Sequence, residues 1–304
     1  MNTQQILDLA SEYLKELPGH RFEVLEIAKP ASIQAGVNLS RIISKLSPLV
    51  GNLIEFNTCE FLNAQEGFHE HGSWFRQDPG FPDTVFRGSV SPMPGFEIKA
   101  WFPLATEITA RFKDSQLHFA DDQTYVALLA WLPEFLIYGK PRIIDIVVVS
   151  GRSVAQARDD HYHNPPDYIV LEPEDTSART ANLQQTNTNG YKFQGSPSDL
   201  QAAQRLLESL DTESNSYRPD REYQEKMRQL LAAYSYRSDT NYAKMDRIVH
   251  PGIEAFKRRV YNKSISGLTI GEWNRLLSRG SDELIAGELR TRLDIENFGA
   301  NIID

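Results

Sequence analysis

The sequence predicts an α/β (α+β) protein in which helices flank a mixed central sheet and a helical subregion follows at the C-terminus. Two observations predict this class. The runs TYVALLAWL and IIDIVVVSG are short, apolar and contain β-branched residues, as expected for central strands that are covered on both faces. Helical periodicity precedes these runs and dominates again from Ser198 onward. The 304 residues allow a core over 1–200 and a helical subregion, packed on that core, over 201–304.

Three helices are predicted before the first strands. Residues 4–16 carry apolar side chains at i, i+3, i+4 and i+7, and this amphipathic helix ends before Pro18. A second helix is predicted over 39–46. The third begins with Ser47 as its N-cap and Pro48 at its first helical position. Its continuation LVGNLIEFNTCEFLNA is apolar over much of its surface, so we expect a buried helix whose cysteine is an inert core thiol.

The middle of the chain predicts a loop followed by paired strands. Residues 67–82 are rich in Gly, Pro and His and lack periodicity, which indicates a surface loop. The turn at 92–95 would make 84–90 and 96–101 the arms of a hairpin or bent pair. Residues 168–171 (YIVL) predict one more strand.

Composition and charge predict a cytoplasmic protein that does not enter a membrane. The hydrophobic fraction is 40%, and no apolar run approaches the roughly 20 residues of a membrane helix. The acidic N-terminal helix differs from a signal peptide, and a single cysteine fits a reducing compartment. The formal net charge of -9 opposes general nucleic-acid binding, yet Arg218 to Lys263 holds eleven Lys or Arg against six Asp or Glu, a local excess of five.

A group of charged side chains is predicted on one face of the strand 96–101. Because side chains alternate along a strand, Glu97 and Lys99 project together, and the preceding turn returns Asp83 toward Glu97. Phosphodiester hydrolysis requires such a set, since the charge of the transition state must be neutralised and the attacking water activated. Hard carboxylate oxygens suit Mg²⁺.

Other interpretations of these residue types stay open. Glu97 and Lys99 could form a plain ion pair at a sheet edge, with Asp83 merely starting a turn. The His-x-His pairs at 69–71 and 161–163 could bind zinc, or they could be surface histidines.

The motifs PD and EIK, which contain Asp83, Glu97 and Lys99, resemble the PD-(D/E)xK signature of nucleases. The helix LVGNLIE, with Gly51 and Glu55, is similar to the Gly-x-x-x-Glu helix that precedes this signature in many type II restriction endonucleases and in MutH-type mismatch-repair endonucleases. The segment GFEIKAWFPLATEITARF resembles the active-site strand and the following Thr-rich strand of the same subgroup. The resemblance spans roughly residues 48–116, and the gap between the aspartate and the glutamate is longer than in the repair enzymes.

The resemblance implies a restriction-endonuclease-like sheet and a Mg²⁺-dependent type II restriction endonuclease. Such an enzyme cleaves double-stranded DNA at a short specific sequence and leaves 5′-phosphates and 3′-hydroxyls. By that likeness Asp83 and Glu97 hold the metal, Lys99 positions the water, and Glu55 supports the metal site or orients the lysine. The alternatives are a MutH-like repair endonuclease that nicks one strand and a non-catalytic DNA-binding protein.

The expected partner is therefore duplex DNA, bound by a homodimer. Two-fold symmetry lets each subunit cut one strand, and the C-terminal helices carry more apolar stripes than one small sheet needs. The polar segment 179–195 is rich in Asn, Gln and Arg, which read adenine and guanine edges, and its Asn189-Gly190 pair predicts a two-residue hairpin turn. The predicted DNA contacts come from this segment and from three positions just after the active-site strand. They are Arg111, Lys113 and Gln116 after the strand, and Arg179, Asn182, Gln184, Gln185, Asn187, Asn189 and Lys192 in the segment.

Two of these features also have a simpler interpretation. The segment 179–195 could be a polar loop without a function. The basic run Lys257, Arg258 and Arg259 could be a solvated helix face or a phosphate contact.

Overall fold

A computed structural model describes the protein over residues 1–77, 80–105, 108, 110–112, 119, 121–163, 168–171, 189–193, 196–208, 225, 229, 232–234, 236–239 and 243–295. In the strands at 168–171, 189–193 and 236–239 it describes the backbone alone. The fold is mixed α/β, as predicted, with a five-stranded mixed sheet that helices flank.

The central sheet contains β1 (Gly72–Arg76), β2 (Thr84–Gly88), β3 (Gly95–Trp101), β4 (Thr124–Pro133) and β5 (Pro141–Ser150). The strands lie in sequence order across the sheet. β3 pairs with β4 in parallel, and the other neighbours are antiparallel. β4 is buried along nearly its whole length because both of its faces are covered, which confirms the prediction of a central strand for TYVALLAWL. The same prediction for IIDIVVVSG was wrong, because β5 is the last strand of the described sheet and is only partly buried from Val147 to Ser150.

Eight α-helices lie within the described ranges: α1 (Thr3–Leu14), α2 (Ile33–Ile42), α3 (Ser47–Asn63), α4 (Gly151–His163), α5 (Pro197–Glu208), α6 (Pro251–Asn262), α7 (Ile270–Arg279) and α8 (Asp282–Leu293). The first helix agrees with its prediction, and Asn2 and Gln5 cap it reciprocally. In this described part, no helix combines the length and apolar character that crossing a membrane requires.

α3 packs against β1 and β3 with one face. The buried side chains of this face are Val50, Ile54, Thr58, Cys59 and Leu62. Leu49 and Phe56 are about half exposed, so the prediction of a buried helix is correct for one face only. A Cβ added at Gly51 would lie 3.8 Å from Cβ of Ala100, which shows how closely the helix approaches β3.

α6 packs on the sheet beside the predicted charged group. Side chains of Glu97, Lys99 and Trp101 share one face of β3 because they alternate with the others. The Phe256 ring of α6 meets Trp101 edge-on, with 5.6 Å between the centroids. α6 therefore covers the same face of the sheet on which the acid and the lysine lie, further toward the C-terminal end of β3.

Three predictions about local structure near the N-terminus were wrong. The second helix covers Ile33–Ile42, where Ser32 caps it, and residues Ile43–Leu46 form a 3₁₀ helix instead. α3 has Leu46 as its N-cap, so Ser47 lies one position inside the helix. The predicted loop 67–82 contains the strand β1, which Trp74 anchors by its complete burial against Phe68 and Phe86.

A smaller antiparallel sheet contains β6 (Tyr168–Leu171), β7 (Asn189–Phe193) and β8 (Tyr236–Asp239). Asn189 pairs with Leu171 and Gly190 with Val170, so both residues lie inside a strand. The prediction of a two-residue hairpin turn at this pair was therefore wrong. The strand at 168–171 is confirmed. Two further short strands, β9 (Ser264–Ile265) and β10 (Leu268–Thr269), form an antiparallel hairpin before α7.

Candidate active site

Asp83 lies where β2 and β3 separate. The last pairs between these strands are Thr84 with Phe96 and Val85 with Gly95. Beyond them the Ile98 amide donates to Oδ2 of Asp83 at 2.6 Å instead of to a strand neighbour. The side chain of Asp83 thus takes the place of a backbone acceptor, which holds its carboxylate against β3. The predicted return of Asp83 toward Glu97 is confirmed.

Glu97 and Lys99 lie on β3, the middle one of the five strands, but β2 pairs with β3 only at Gly95 and Phe96. Both residues therefore lie where β3 has β4 as its neighbour on one side and is open on the other, and the ion pair that the alternative interpretation expected at a sheet edge is present. Nζ of Lys99 donates to Oε1 of Glu97 and lies 3.9 Å from Oδ2 of Asp83. The side chains of Asp83, Lys99 and Glu97 are 18%, 17% and 9% exposed. Burying such a group costs several kcal/mol per ion before the pairing offsets it, so a purely stabilising role is a weak explanation for it.

Glu55 approaches this group from α3. Burial and the negative charge of Asp83 raise the pKa of Glu55, while the positive charges of Lys99 and Arg76 oppose the increase. Nη2 of Arg76, at the end of β1, lies 3.4 Å from Oε2 of Glu55. The structure therefore groups Asp83, Glu97 and Lys99, places Glu55 near enough for the charges of Asp83 and Lys99 to act on its pKa, and adds an arginine that the sequence did not indicate.

The residues present fit a hard divalent cation of the Mg²⁺ type. Asp83 and Glu97 already converge on one ammonium cation, and both supply hard carboxylate oxygens. No cluster of three or more His, Cys, Asp or Glu side chains suited to a metal occurs in the described part of the chain. Mg²⁺ is commonly held by one or two carboxylates together with waters and substrate phosphates, so Asp83 and Glu97 are sufficient in number for it.

The alternative zinc pairs gain no geometric support. His69 is exposed, and its Nε2 lies 3.3 Å from the carbonyl oxygen of Asn63. The side chains at 161–163 lie outside the described residues.

Most predicted DNA contacts fall where the structure does not describe the side chains. These are Lys113, Gln116, Arg179, Asn182, Gln184, Gln185 and Asn187, which lie outside the described residues, and Asn189 and Lys192, whose backbone alone is described in β7. Arg111 is described and exposed. It forms an isolated antiparallel bridge with Lys244, and no strand is present in the described part of 102–123 where the Thr-rich strand was expected.

No protein-family profile matches the chain, and no curated protein or solved structure matches it either.

Two cationic residues that lie near predicted residues, Arg76 and Lys244, were not among the predictions from sequence. Arg76 lies in the segment 67–82, which lacks strand periodicity because Gly, His and Pro surround a short strand. Lys244 is distant in sequence from Arg111, and the bridge between them is isolated. One pattern could have indicated Arg76: it lies two residues after Trp74, and because side chains alternate along a strand, the two side chains lie on the same face of β1.

Proposed function

We propose that the protein is a Mg²⁺-dependent type II restriction endonuclease that hydrolyses phosphodiesters of double-stranded DNA at a specific sequence. The observation that carries the proposal is the grouping of Asp83 and Glu97 around the Lys99 ammonium on the central strand, where β2 separates from β3. Glu55 supports it, because an acid on α3 lies close enough to feel the charge of Asp83.

In this proposal Asp83 and Glu97 hold Mg²⁺, which would supply neutralisation of the charge that develops on the phosphoryl oxygens. Lys99 holds the attacking water in line and stabilises its hydroxide form. The water oxygen bonds to phosphorus, the bond from phosphorus to the 3′ oxygen breaks, and that oxygen takes up a proton. Glu55 orients Lys99 from the side of α3, and Arg76 keeps Glu55 in place.

Cleavage of a large unmethylated DNA tests the proposal directly. The protein is incubated with Mg²⁺ or with EDTA, and the fragment ends are sequenced; we expect discrete ends with one shared sequence in Mg²⁺ alone. Asp83→Asn should abolish the Mg²⁺-dependent cleavage. Asp282→Asn is the matched control, because Asp282 is an exposed aspartate that pairs with Arg41 on a distant surface. Normal cleavage by Asp83→Asn would place the reaction elsewhere.

A homodimer on DNA is part of the proposal, because two strands require two active sites. The structure weakens one argument for it: the apolar stripes of α6, α7 and α8 are buried in the chain's own core. Symmetry of double-strand cleavage remains as the supporting argument. Sedimentation equilibrium with a cognate duplex should give two protomers per duplex. A monomer on the site that converts supercoiled plasmid only into nicked circles would favour a strand-nicking enzyme instead.

A further inference from the structure

α3 carries an apolar stripe on the face that is turned away from the sheet. Leu46, Leu49, Leu53 and Phe56 follow one another at spacings of three and four residues, which places them on one side of the helix. Leu49 and Phe56 are 50% and 54% exposed, whereas Leu46 and Leu53 are partly buried. Because the other face of α3 already packs on β1 and β3, this stripe is the side on which a further helix could pack.

Opposite charges lie at the two ends of the stripe. Lys45 precedes it and Glu60 follows it, and both are exposed. Lys45 lies four residues before Leu49, and Glu60 lies four residues after Phe56. If two copies of α3 pack antiparallel, one register therefore places Lys45 opposite Glu60 and, at the same time, Leu49 opposite Phe56. A parallel pair would place like charges together instead, so the stripe is complementary to its own copy in the antiparallel orientation.

Two-fold symmetry follows from this orientation, and every contact then occurs twice. The symmetry axis passes between the two helices and is perpendicular to both, so a group on one side of the dimer has its copy on the same side. Glu55 is the neighbour of Phe56 and lies close enough to the candidate site to be affected by the charge of Asp83. Both copies of the site therefore face the same side of the dimer, as cleavage of the two strands of one duplex requires.

We propose that two copies of this chain associate through the exposed face of α3, packed antiparallel about a two-fold axis. The inference deepens the homodimer of the proposed function, on which it rests for the need of two active sites, and it names the surface by which the subunits meet. The apolar stripes of α6, α7 and α8 do not offer such a surface, because they are buried in the chain's own core.

Sedimentation equilibrium of the free protein tests this interface without DNA. The wild type should dimerise at concentrations up to about 100 μM. Phe56→Asp should weaken dimerisation by about 100-fold or more, because it places a charge twice in an apolar interface and removes two aromatic contacts. Leu284→Asp is the matched control: this leucine is also 54% exposed, but it lies on α8, so its replacement should leave the dimer intact.

Charge reversal at the two ends of the stripe tests the antiparallel register. Lys45→Glu and Glu60→Lys should each weaken dimerisation by about tenfold, since each replaces two attractions by two repulsions. Mixing these two variants in equal amounts should restore dimerisation, because opposite charges then face each other at both ends of the mixed pair. Both side chains are exposed, so each variant should fold, and this arm remains decisive should Phe56→Asp fail to fold.

The inference is wrong if the wild type stays monomeric at these concentrations, since another molecule or another segment of the chain would then cover the stripe. It is also wrong if folded Phe56→Asp keeps the wild-type dimer, or if the two charge variants associate no better when mixed than alone. Cleavage of both DNA strands by a protein that is monomeric in solution refutes the α3 interface alone. A dimer that depends on α3 but leaves DNA intact in Mg²⁺ refutes the nuclease proposal alone.

Discussion

At the scale of single residues, Lys99 is the cation that lies between the two carboxylates of the candidate site. Its ammonium contacts Glu97 and lies 3.9 Å from Asp83, and only 17% of its side chain is exposed. In an ion-pair role the lysine would offset two carboxylates. In the proposed reaction it also acts on the attacking water, which an ion pair alone does not require.

Lys99→Ala should reduce cleavage by about 10² or more, because a preorganised group that stabilises the transition state is removed. Specific DNA binding, measured by anisotropy in EDTA, should survive. Lys140→Ala is the matched control: Lys140 also pairs with a carboxylate, that of Glu23, but away from the site. Near-normal cleavage by Lys99→Ala would contradict the assigned role of this residue.

Cys59, on the buried face of α3, should be unreactive in the folded protein. Burial raises the pKa of its thiol to about 11, and only 5% of the residue is exposed. Because the thiolate is the nucleophile, alkylation by iodoacetamide at pH 8 should be slow in buffer and should reach one thiol per chain in denaturant. Rapid labelling of the native protein would show that α3 opens readily, and Glu55 would then not be held in place.

At the scale of elements, His250 begins α6 and ties it to α4. Its Nδ1 accepts from the Gly252 amide at 3.2 Å and caps the helix, so the proton of the neutral ring lies on Nε2. Nε2 donates to Oγ of Ser153 at 3.1 Å, and Ser153 donates to the carbonyl oxygen of Ser150. A protonated ring could no longer accept the amide, so the cap requires neutral histidine.

The stability of the protein should fall as His250 becomes protonated. Burial lowers the pKa of His250 from its ordinary value of 6.5, so between the two pKa values the unfolded chain binds more protons than the folded one. This contribution to stability is complete above about pH 6.5 and is lost as the pH falls toward the lower, folded-state pKa. Urea unfolding at pH 7.5 and 5.5 should show a smaller difference for His250→Asn than for the wild type, since asparagine caps without titrating.

His250→Ala separates capping from titration. It removes the acceptor and should cost about 1 kcal/mol at pH 7.5, whereas His250→Asn should retain most of the stability there. Equal pH dependence in wild type and His250→Asn would mean that another group causes the acid destabilisation.

Sequence patterns identified those elements whose signal is local. β3 and β4 were predictable because alternation and apolar runs are read within seven to ten residues. The predicted bounds of α2 were wrong because Gly36 and Asn38 are weak helix formers and hid the start of the helix. Tertiary packing favours the helix there: side-chain atoms of Leu289 and Ile295 lie 3.4 Å from the position that a Cβ of residue 36 would take. The Asn-Gly pair failed as a turn signal because strand pairing with β6 prevails over local turn preference there.

The candidate site divides in the same way. Asp83, Glu97 and Lys99 could be predicted because a turn and one strand bring them together. The contacts of Arg76 with Glu55 and of Lys244 with Arg111 could not, since each contact forms only through tertiary packing, and no pattern within one element records it.

At the scale of the whole molecule, one hydrophobic core joins the N-terminal and C-terminal parts. Its buried residues include Trp131 of the sheet, Trp273 of α7 and Leu289 of α8. α8 packs on α2, and α6 packs on β5. These contacts join the described C-terminal helices to the sheet, so we expect the C-terminal helices to unfold together with the sheet.

Leu289→Ala should destabilise the entire fold by about 2–5 kcal/mol, because it leaves a cavity between α8 and α2. Leu284→Ala on the same helix is the control; this leucine is 54% exposed, and its removal should change the unfolding free energy by less than about 0.5 kcal/mol. Urea unfolding followed by tryptophan fluorescence and by far-UV circular dichroism should give one coincident transition for each protein. If instead two urea transitions are seen and Leu289→Ala shifts the midpoint of only one of them, the segments 1–200 and 201–304 unfold independently. A single shifted midpoint would mean that the helices far from Asp83 set the stability of the strand that carries Lys99.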